Sequence, residues 1–594
     1  MHSDLSIDSL KENLLAASSE WEFLLVLYKT KLTIQYKTDI LIEKLAQLHN
    51  SEQIDLINNF KVLENKSDTE ISFFYTREIF EEALPKLNAD TREVMDCVLH
   101  LVEAAGQDMA AKTVFGPFTE YCSADGSRPV EGLRLIEQSP DKYVSFLVPV
   151  LKAGSQIDFE SYLDKAICLS VDDNIEFRRR ALLSLGQLQY PENSITADRA
   201  LETLELSVDK ETDDILLSHV IEAAFSLFKR NVVLDSSRVT ELIDAVLLKG
   251  DSYTLYAASH IFGFSYKYLP TSLVDILLSH LQQVASTHIH TLDNIDHGVV
   301  SLLRNGECDK GIDFLEKCLL KKEGSITLSI FNSTSCELLK NQGDILNRVM
   351  TKWFLLGNPK LCEGIASVVK LSRGQELTLS VELEESGDDK SDEMIFIARK
   401  AIGYLFFQPV FATSVIVSLL KQTSDSTVLQ VLSALLFDPL LLNYSGKVSG
   451  YLEQQLQIIE EQHVKEAIKN AIKAFENYID DLKSTGDLPE LHPSQRNREV
   501  YRRRFGQQMS EAVKNAQKES VFLSLVSKSV LLYGRKSINY VYSSDGEARR
   551  MEVPLKSYGT EMEFPRLETI DPFGLDYMLR IFRAEQIRNH EADH

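Results

Sequence analysis

A short acidic turn followed by an apolar helical stripe recurs through the middle of this 594-residue chain. The turns read VDDNIE, KETDDI, KGDSYT and DNIDHG, and their matching aspartates are Asp173, Asp213, Asp251 and Asp293. Successive aspartates are 40, 38 and 42 residues apart. A period of this length is typical of two-helix repeats, each of which buries its apolar face against the next repeat. The sequence therefore predicts a stack of helix pairs.

The stretch from Val171 to Leu188 shows the pattern most clearly. Apolar side chains at three- and four-residue spacing place one stripe on one helix face, at Ala181, Leu182, Leu185 and Leu188. Asp172 and Asp173 precede this helix, and we expect them to cap it and to offset the positive end of its dipole. Small Ala181 and Gly186 are expected to let a neighbouring helix approach closely.

Several of these residues resemble the second-helix pattern of HEAT repeats, namely Asp173, Arg179, Ala181, Leu185 and Gly186. Two later segments are similar, SDEMIFIARKAIGYL from Ser391 and SDSTVLQVLSALLFD from Ser424. The resemblance implies a mainly α fold, an α-solenoid of antiparallel helix pairs of the HEAT or armadillo kind. It also implies a curved scaffold that binds partners and seldom catalyses a reaction.

The pattern divides the chain into three predicted parts. Residues 1–85 are helical by periodicity but match the repeat poorly, as an end cap does, and residues 86–485 carry the repeats. After the breaker-rich stretch KSTGDLPELHPSQ, residues 496–594 are predicted to form a small α+β module. Its predicted elements are a buried helix from Val521 to Tyr533, a β-hairpin around a Ser-Ser-Asp-Gly turn, and a last helix capped by Asp571.

One segment interrupts the repeats, from Leu377 to Glu393. Its first half alternates like a strand, and its second half is acidic. We expect a solvated excursion between helices, with contact to a basic partner as the alternative.

The net charge of −25 opposes binding to nucleic acid and to anionic membranes. The acidity lies before residue 491, because the remaining residues contain 17 Lys and Arg against 14 Asp and Glu, or +3, which leaves −28 for residues 1–490. No apolar run reaches the roughly 20 residues of a membrane-spanning helix, and the amino terminus does not resemble a secretory signal. The seven cysteines are scattered without a CxxC pair. These features predict a cytoplasmic protein in a reducing compartment.

The strongest basic cluster opens the last part of the chain. Its candidate binding residues for phosphate or an acidic surface are Arg496, Arg498, Arg502, Arg503, Arg504, Lys514 and Lys518. Helical spacing predicts that Tyr501, Phe505 and Met509 face inward. The alternative interpretation is a solvated face that pairs with the acidic repeats.

The densest group of possible metal ligands contains His288, His290, Asp293 and His297. Three of them share a helical face, as a zinc site would need. A polar turn that enters a helix, with Asp293 as its cap, explains the same residues, so we predict no metal site and no cofactor. Because no HExxH, GxSxG or GxGxxG element occurs either, an enzyme is less expected than a binding protein.

These observations predict a non-catalytic scaffold or adaptor that binds a protein partner on the concave solenoid surface, or a subunit of a larger complex. The first alternative is a nucleic-acid-binding HEAT-like protein that contacts phosphates through the Arg496 to Lys518 stripe or acts like the HEAT-like DNA glycosylases. The second is a metal-dependent hydrolase centred on His288 to His297. The charge balance and the scattered ligands favour the scaffold.

Overall fold

A computed structural model describes most of the chain. The described residues are 7–34, 38–66, 70–191, 196–231, 234–321, 326–340, 344–372, 378–383, 390–486, 492–518, 536–542, 548–554 and 563–587. They are mainly helical and belong to two units, Met1–Glu307 and Cys308–His594. This division falls between the predicted boundaries near residues 85 and 490, which stay predictions.

The described part of the first unit contains helices α1 to α18. They are α1 Ile7–Leu15, α2 Glu20–Ile34, α3 Thr38–Asn50, α4 Leu56–Phe60, α5 Phe73–Ala83, α6 Thr91–Ala105, α7 Phe115–Ser123, α8 Ser127–Gln138, α9 Pro140–Tyr143, α10 Leu147–Ser155, α11 Phe159–Leu169, α12 Ile175–Leu185, α13 Thr196–Lys210, α14 Asp214–Arg230, α15 Ser236–Lys249, α16 Ser252–Ser265, α17 Thr271–Leu281 and α18 Ile289–Arg304. Short 3₁₀ helices lie at Leu84–Lys86, Met109–Lys112, Val144–Phe146 and Tyr266–Tyr268.

Alternate helices of this unit form two rows. The first row is α10, α12, α14, α16 and α18, in which each helix packs against the next, and the second row is α11, α13, α15 and α17. The last four helices of the first row begin at 175, 214, 252 and 289, at intervals of 39, 38 and 37 residues. Two stacked rows with this period are the arrangement of a helical-repeat protein, so the predicted repeat organisation is confirmed at that level.

The apolar stripes point into the space between the rows. Matching positions of successive row helices are buried, at Ala181, Leu185, Ala223, Leu227, Ala257 and Ile261. A β-carbon added to Gly186 would lie 2.5 Å from the Cα atom of Ala223, and one added to Gly263 would lie 2.5 Å from the carbonyl oxygen of Asn294. The small residues therefore allow close helix approach, as predicted for Gly186.

The start of α12 departs from the predicted capping. Its cap is Asn174, whose side chain accepts a hydrogen bond from the N–H of Glu176 at 2.9 Å, while Asp172 accepts one from the N–H of Asn174 at 2.8 Å. Asp172 thus supports the cap from two residues before it, and the prediction that Asp172 and Asp173 cap the helix is wrong. Asp213 does cap α14, by accepting from the N–H of Leu216 at 2.8 Å.

Helices α16 and α18 are not capped by the aspartates that precede or match the repeat pattern. The carboxylate of Asp214 reaches across from α14 and accepts the N–H groups of Asp251 and Tyr253, each at 2.7 Å. Asp293 lies inside α18, which begins at Ile289, so its predicted capping role is wrong.

The described part of the second unit contains helices α19 to α30. They are α19 Cys308–Leu320, α20 Asn332–Leu338, α21 Asp344–Leu356, α22 Pro359–Lys370, α23 Lys390–Leu405, α24 Pro409–Leu420, α25 Ser426–Leu435, α26 Ser445–Ile458, α27 Gln462–Ser484, α28 Gln495–Lys518, α29 Arg566–Ile570 and α30 Pro572–Ala584. A 3₁₀ helix lies at Leu328–Ile330 and a π-helical turn at Leu436–Leu441. Helices α21, α23, α25 and α27 pack in succession, and α30 packs against α23.

Residues 378–383 correct the expectation of a solvated excursion. They belong to no helix or strand, and Leu379 and Val381 are buried. The backbone N–H groups of residues 379–382 donate to side chains of α21 and α24 at 2.8–3.2 Å, and the acceptors are Asn347, Thr351, Ser414 and Ser418. The segment fills a site between two helices because its backbone polar groups find partners there. The acidic residues 384–389 lie outside the described residues.

Two strands form a hairpin late in the chain, β1 Lys536–Tyr542 and β2 Ala548–Pro554, in antiparallel register with Ile538 opposite Glu552. They are the only strands within the described residues. The predicted α+β module is nevertheless not supported, because α30 packs chiefly against the distant helix α23 and two strands alone bury little. The predicted helix from Val521 to Tyr533 lies outside the described residues. Asp571 caps α30 as predicted, by accepting from the N–H of Gly574 at 3.0 Å.

Two further features, the state of the cysteines and the hydropathy of the helices, bear on the predicted cellular compartment. All seven cysteines are free, and burial raises the pKa of the Cys97 and Cys122 thiols to about 12, which makes them poor nucleophiles. Across the ranges that the structure describes, no helix has both the length and the apolar character needed to cross a membrane.

Candidate functional site

A pocket of about 470 Å³ lies on the side of the first row that faces solvent. Helices α12, α14 and α16 supply nearly all of its lining, and Lys112 adds one more cation. We call this the α12–α16 pocket, and its polar and aromatic lining includes Glu176, Arg179, Arg180, His219, Glu222, Tyr253 and Tyr256. It brings together charges and rings from three successive repeats.

Arg179 forms the rigid part of the pocket. Its guanidinium donates two hydrogen bonds to the carboxylate of Asp213, at 2.9 and 2.7 Å, and a further one to Glu176. The hydrogen bonds from Arg179 lower the pKa of Asp213, which therefore stays ionised. Because Asp213 also caps α14, this pair joins two repeats and leaves Arg179 little capacity for a ligand.

Arg180 and Glu222 are in the opposite situation. The Nε atom of Arg180 is buried and has no hydrogen-bond partner among the described residues. The carboxylate of Glu222 likewise forms no hydrogen bond or ion pair within the described part of the chain, and desolvation by the surrounding protein raises its pKa. The Nε atom of Arg180 is buried without a partner, which costs free energy, whereas the Glu222 side chain is exposed to solvent. Both groups can therefore pair with an incoming molecule.

His219 is a neutral ring in this pocket. Desolvation is the main cause that lowers its pKa to about 4, and the positive charge of Arg180 adds to the effect. Its Nδ1 atom lies 3.1 Å from the carbonyl oxygen of Arg179. Since that oxygen can only accept, Nδ1 carries the proton and Nε2 is left as a hydrogen-bond acceptor.

The neutrality of His219 gives a pH prediction. The ring is expected to protonate with a midpoint near pH 4, measured by NMR on imidazole-labelled protein and assigned by the loss of the signal in His219→Gln. The unfolded chain takes up this proton below an ordinary pKa near 6.5. The contribution of His219 to the free energy of unfolding therefore falls as the pH drops from about 6.5 to about 4, since only the unfolded state binds the proton there. A midpoint near 6.5 would contradict the pocket geometry.

An aromatic stripe extends the pocket along α16. Tyr253, Tyr256, His260 and Phe264 follow one another at spacings of three, four and four, which is one face of the helix. Tyr253 and Phe264 are each 56% exposed. The Phe264 ring lies between His260 and His297, with ring centres 5.1 and 5.2 Å apart. Large exposed rings in a row are uncommon on a surface that contacts only water.

The structure places the predicted basic residues on α28, in the second unit. Arg496, Arg498, Arg502, Arg503, Arg504, Lys514 and Lys518 all lie on this one helix. Apart from Arg498, whose Nε donates to the carbonyl oxygen of Pro493 at 3.1 Å, they form no bond with other described residues. They are therefore a separate candidate surface from the α12–α16 pocket.

The possible metal ligands are spread over the start of α18. His288 precedes the helix, and the Nδ1 atom of His290 is 4.0 Å from Asp293, with both side chains well exposed. His297 packs on Phe264 instead. No group of three or more His, Cys, Asp or Glu side chains gathers in metal-binding geometry within the ranges that the structure describes.

Sequence reasoning missed His219, Glu222, Tyr253 and Tyr256. Periodicity identifies the buried side of each helix, and these residues lie on the other side. A signal was present, because Tyr253, Tyr256 and Phe264 are large rings outside the apolar stripe of α16.

No family model matches this chain, and no curated protein matches it. Two solved structures show limited similarity. One is an engineered protein from a structural genomics consortium, and the other is a chain from a study of the phosphorylation switch that controls the interaction between cadherin and β-catenin. Each is 12% identical and covers 80% of this chain and 99% of the other, with TM-scores of 0.18 and 0.17. Neither similarity carries a conclusion about fold or function.

Proposed function

We propose that this chain is a cytoplasmic, HEAT-like scaffold without catalytic activity, and that it holds a protein partner on the solvent-facing side of the first row. The α12–α16 pocket and the aromatic stripe of α16 form the centre of the binding surface. The observation that carries the proposal is the unpaired Arg180 and Glu222 beside exposed tyrosine rings in one pocket.

The residue types support a polypeptide ligand. Tyr and Arg are enriched among the side chains that dominate protein–protein affinity, since they offer a large contact area together with directed hydrogen bonds. An unpaired cation, an unpaired carboxylate and the Nε2 acceptor of His219 together suit a peptide segment, which carries both donors and acceptors. The stripe continues from Tyr253 to Phe264, so the ligand is longer than one side chain.

Removing the rings tests this surface. We expect the double substitution Tyr253→Ala with Tyr256→Ala to weaken partner binding by about 30-fold, the effect of losing roughly 2 kcal/mol at a hot spot. The measurement is affinity isolation of the tagged full-length protein from its own cells, followed by titration of the purified partner.

A matched control uses apolar residues that are at least as exposed as the two tyrosines but belong to the second row. Leu206→Ala with Leu248→Ala, on α13 and α15, should change the affinity by less than about twofold. An equal loss of affinity in both double variants would contradict the proposal. Recovery of nucleic acid instead of protein, abolished by nuclease treatment, would favour the alternative of a nucleic-acid-binding protein.

A further inference from the structure

Helix α28 is long but hardly packed. It spans 24 residues, Gln495–Lys518, and none of its described side chains is buried. Its described tertiary contacts centre on one place, where the Phe505 ring lies 5.8 Å from the Phe564 ring and the helix meets α29. The prediction that Phe505 and Met509 face inward is wrong, since their side chains are 49% and 36% exposed.

One face of α28 is basic at its start and apolar towards its end. Arg498, Arg502, Phe505, Met509 and Val513 follow at spacings of four, three, four and four, which places them on a single stripe. Phe505 and Val513 are each 49% exposed. We call these five residues the α28 stripe. An apolar row of this kind, open to water on a marginally supported helix, is the usual form of a helix that docks on a partner.

Charge identifies what that partner must carry. The helix has seven Lys and Arg against two Glu, which makes it +5 within a chain of net charge −25. Arg502 has no ion-pair or hydrogen-bond partner among the described residues. Within the described ranges, no acidic side chain pairs with the Arg and Lys residues of this helix, so these cations are open to carboxylates from outside.

We propose that α28 docks an acidic amphipathic helix of a partner protein. The apolar residues of that helix would cover Phe505, Met509 and Val513, and its carboxylates would pair with Arg498 and Arg502. A polypeptide is favoured over nucleic acid because a phosphate backbone would leave the apolar half of the stripe in water and would be repelled by the rest of the chain. This surface is independent of the α12–α16 pocket.

Stability of the helix itself supports the same conclusion. A single helix held by little tertiary packing is marginal in water, because most helical stability in proteins comes from burying one face. A partner that covers the α28 stripe would supply that burial. Binding should therefore slow backbone hydrogen exchange in residues 505–515, beyond the contact with Phe564.

The test uses the full-length protein and synthetic helical peptides. The probe is a 21-residue peptide with leucines at helical spacing and flanking glutamates, compared with the same peptide bearing lysines and with a 20-base-pair DNA duplex. We expect the acidic peptide to bind with a dissociation constant in the range of about 1–50 µM by fluorescence polarisation, and the basic peptide not to bind.

Charge-matched variants locate the surface. Arg498→Glu with Arg502→Glu should weaken the acidic peptide at least tenfold, and so should Met509→Asp with Val513→Asp. Arg496→Glu with Lys514→Glu makes the same charge change on the opposite face of α28 and should have less than a twofold effect. All six side chains are at least 36% exposed, so the fold should tolerate each change.

Three outcomes would overturn the proposal. Equal losses for the two charge-reversal pairs would reduce the effect to nonspecific attraction. No binding of the acidic peptide at about 500 µM would remove the docking role. Tighter binding of the DNA duplex than of the peptide, with a steep dependence on salt, would assign the helix to nucleic acid.

Discussion

Replacing Lys400 with alanine is expected to lower the free energy of unfolding of the second unit by about 3 kcal/mol. Lys400 lies on α23 and is fully buried. Its Nζ atom donates to the carbonyl oxygens of Arg583 and Glu585, at 2.6 and 2.7 Å, where α30 ends. Without the ammonium group, two partly buried carbonyls at the negative end of a helix lose their donor.

Arg399 provides the control, because it is the neighbouring residue and contacts the same end of the chain. Its guanidinium pairs with the Glu585 carboxylate at 2.7 Å but is 38% exposed. Arg399→Ala should therefore cost no more than about 1 kcal/mol. Each unit contains one tryptophan, Trp21 and Trp353, so denaturant unfolding followed by Trp353 fluorescence in a Trp21→Phe background reports on the second unit. Equal costs for the two variants would contradict a buried clamp.

The same clamp bears on the separable module that the sequence predicts for residues 496–594. Besides Lys400, the N–H groups of Gly446 and Lys447 donate to the Glu563 carboxylate at 2.7 and 2.9 Å, and Arg583 donates to the carbonyl oxygen of Gly403 at 2.6 Å. A chain that ends at residue 490 loses all of these bonds. We expect its second unit to lose the cooperative Trp353 transition, whereas a separable module would leave that transition in place.

Substituting Gly186 by alanine should destabilise the first unit by about 3 kcal/mol, the upper part of the range for forcing an extra methyl group into a packed contact. The new β-carbon would lie 2.5 Å from the Cα atom of Ala223 and 2.7 Å from its carbonyl oxygen. Both are backbone atoms, so no side-chain rotation relieves the clash, and α12 and α14 must move apart. The loss of contact should also speed hydrogen exchange in both helices.

Gly116 supplies the matched control within the same unit. It lies in α7, where an added β-carbon would meet no heavy atom within 4 Å. Gly116→Ala should leave stability unchanged or raise it by up to about 1 kcal/mol, because alanine loses less backbone freedom in a helix. Circular dichroism in denaturant measures both changes. A neutral Gly186→Ala variant would show that the two row helices can separate without cost.

The sequence by itself determined the repeat organisation. Buried side chains must recur with the helical period, so the buried stripe at Ala181 and Leu185 could be predicted. The interval of about 40 residues between turns likewise predicted the repeat. Some helix caps could also be predicted, such as Asp213 and Asp571, because a capping side chain acts within three residues of its own position. The caps predicted at Asp173 and Asp293 are wrong, because neighbouring residues offered other helix starts. The close contact at Gly186 followed from the absence of a side chain.

Only the tertiary structure decided which surfaces work together. Arg180 and His219 are 39 residues apart, and His219 and Tyr253 are 34 residues apart. They share a pocket because the helices of a row stack, whereas periodicity predicts only which helix faces are buried. From the sequence, Lys400 is expected to be exposed, because it is a charged residue in a helix. It is buried because the end of α30 covers it, at Arg583, which is 183 residues away in the chain. The α28 stripe has the periodicity of a buried helix face, yet its side chains are exposed to solvent. Periodicity shows that a face is apolar, but only the tertiary structure shows whether another element packs on it.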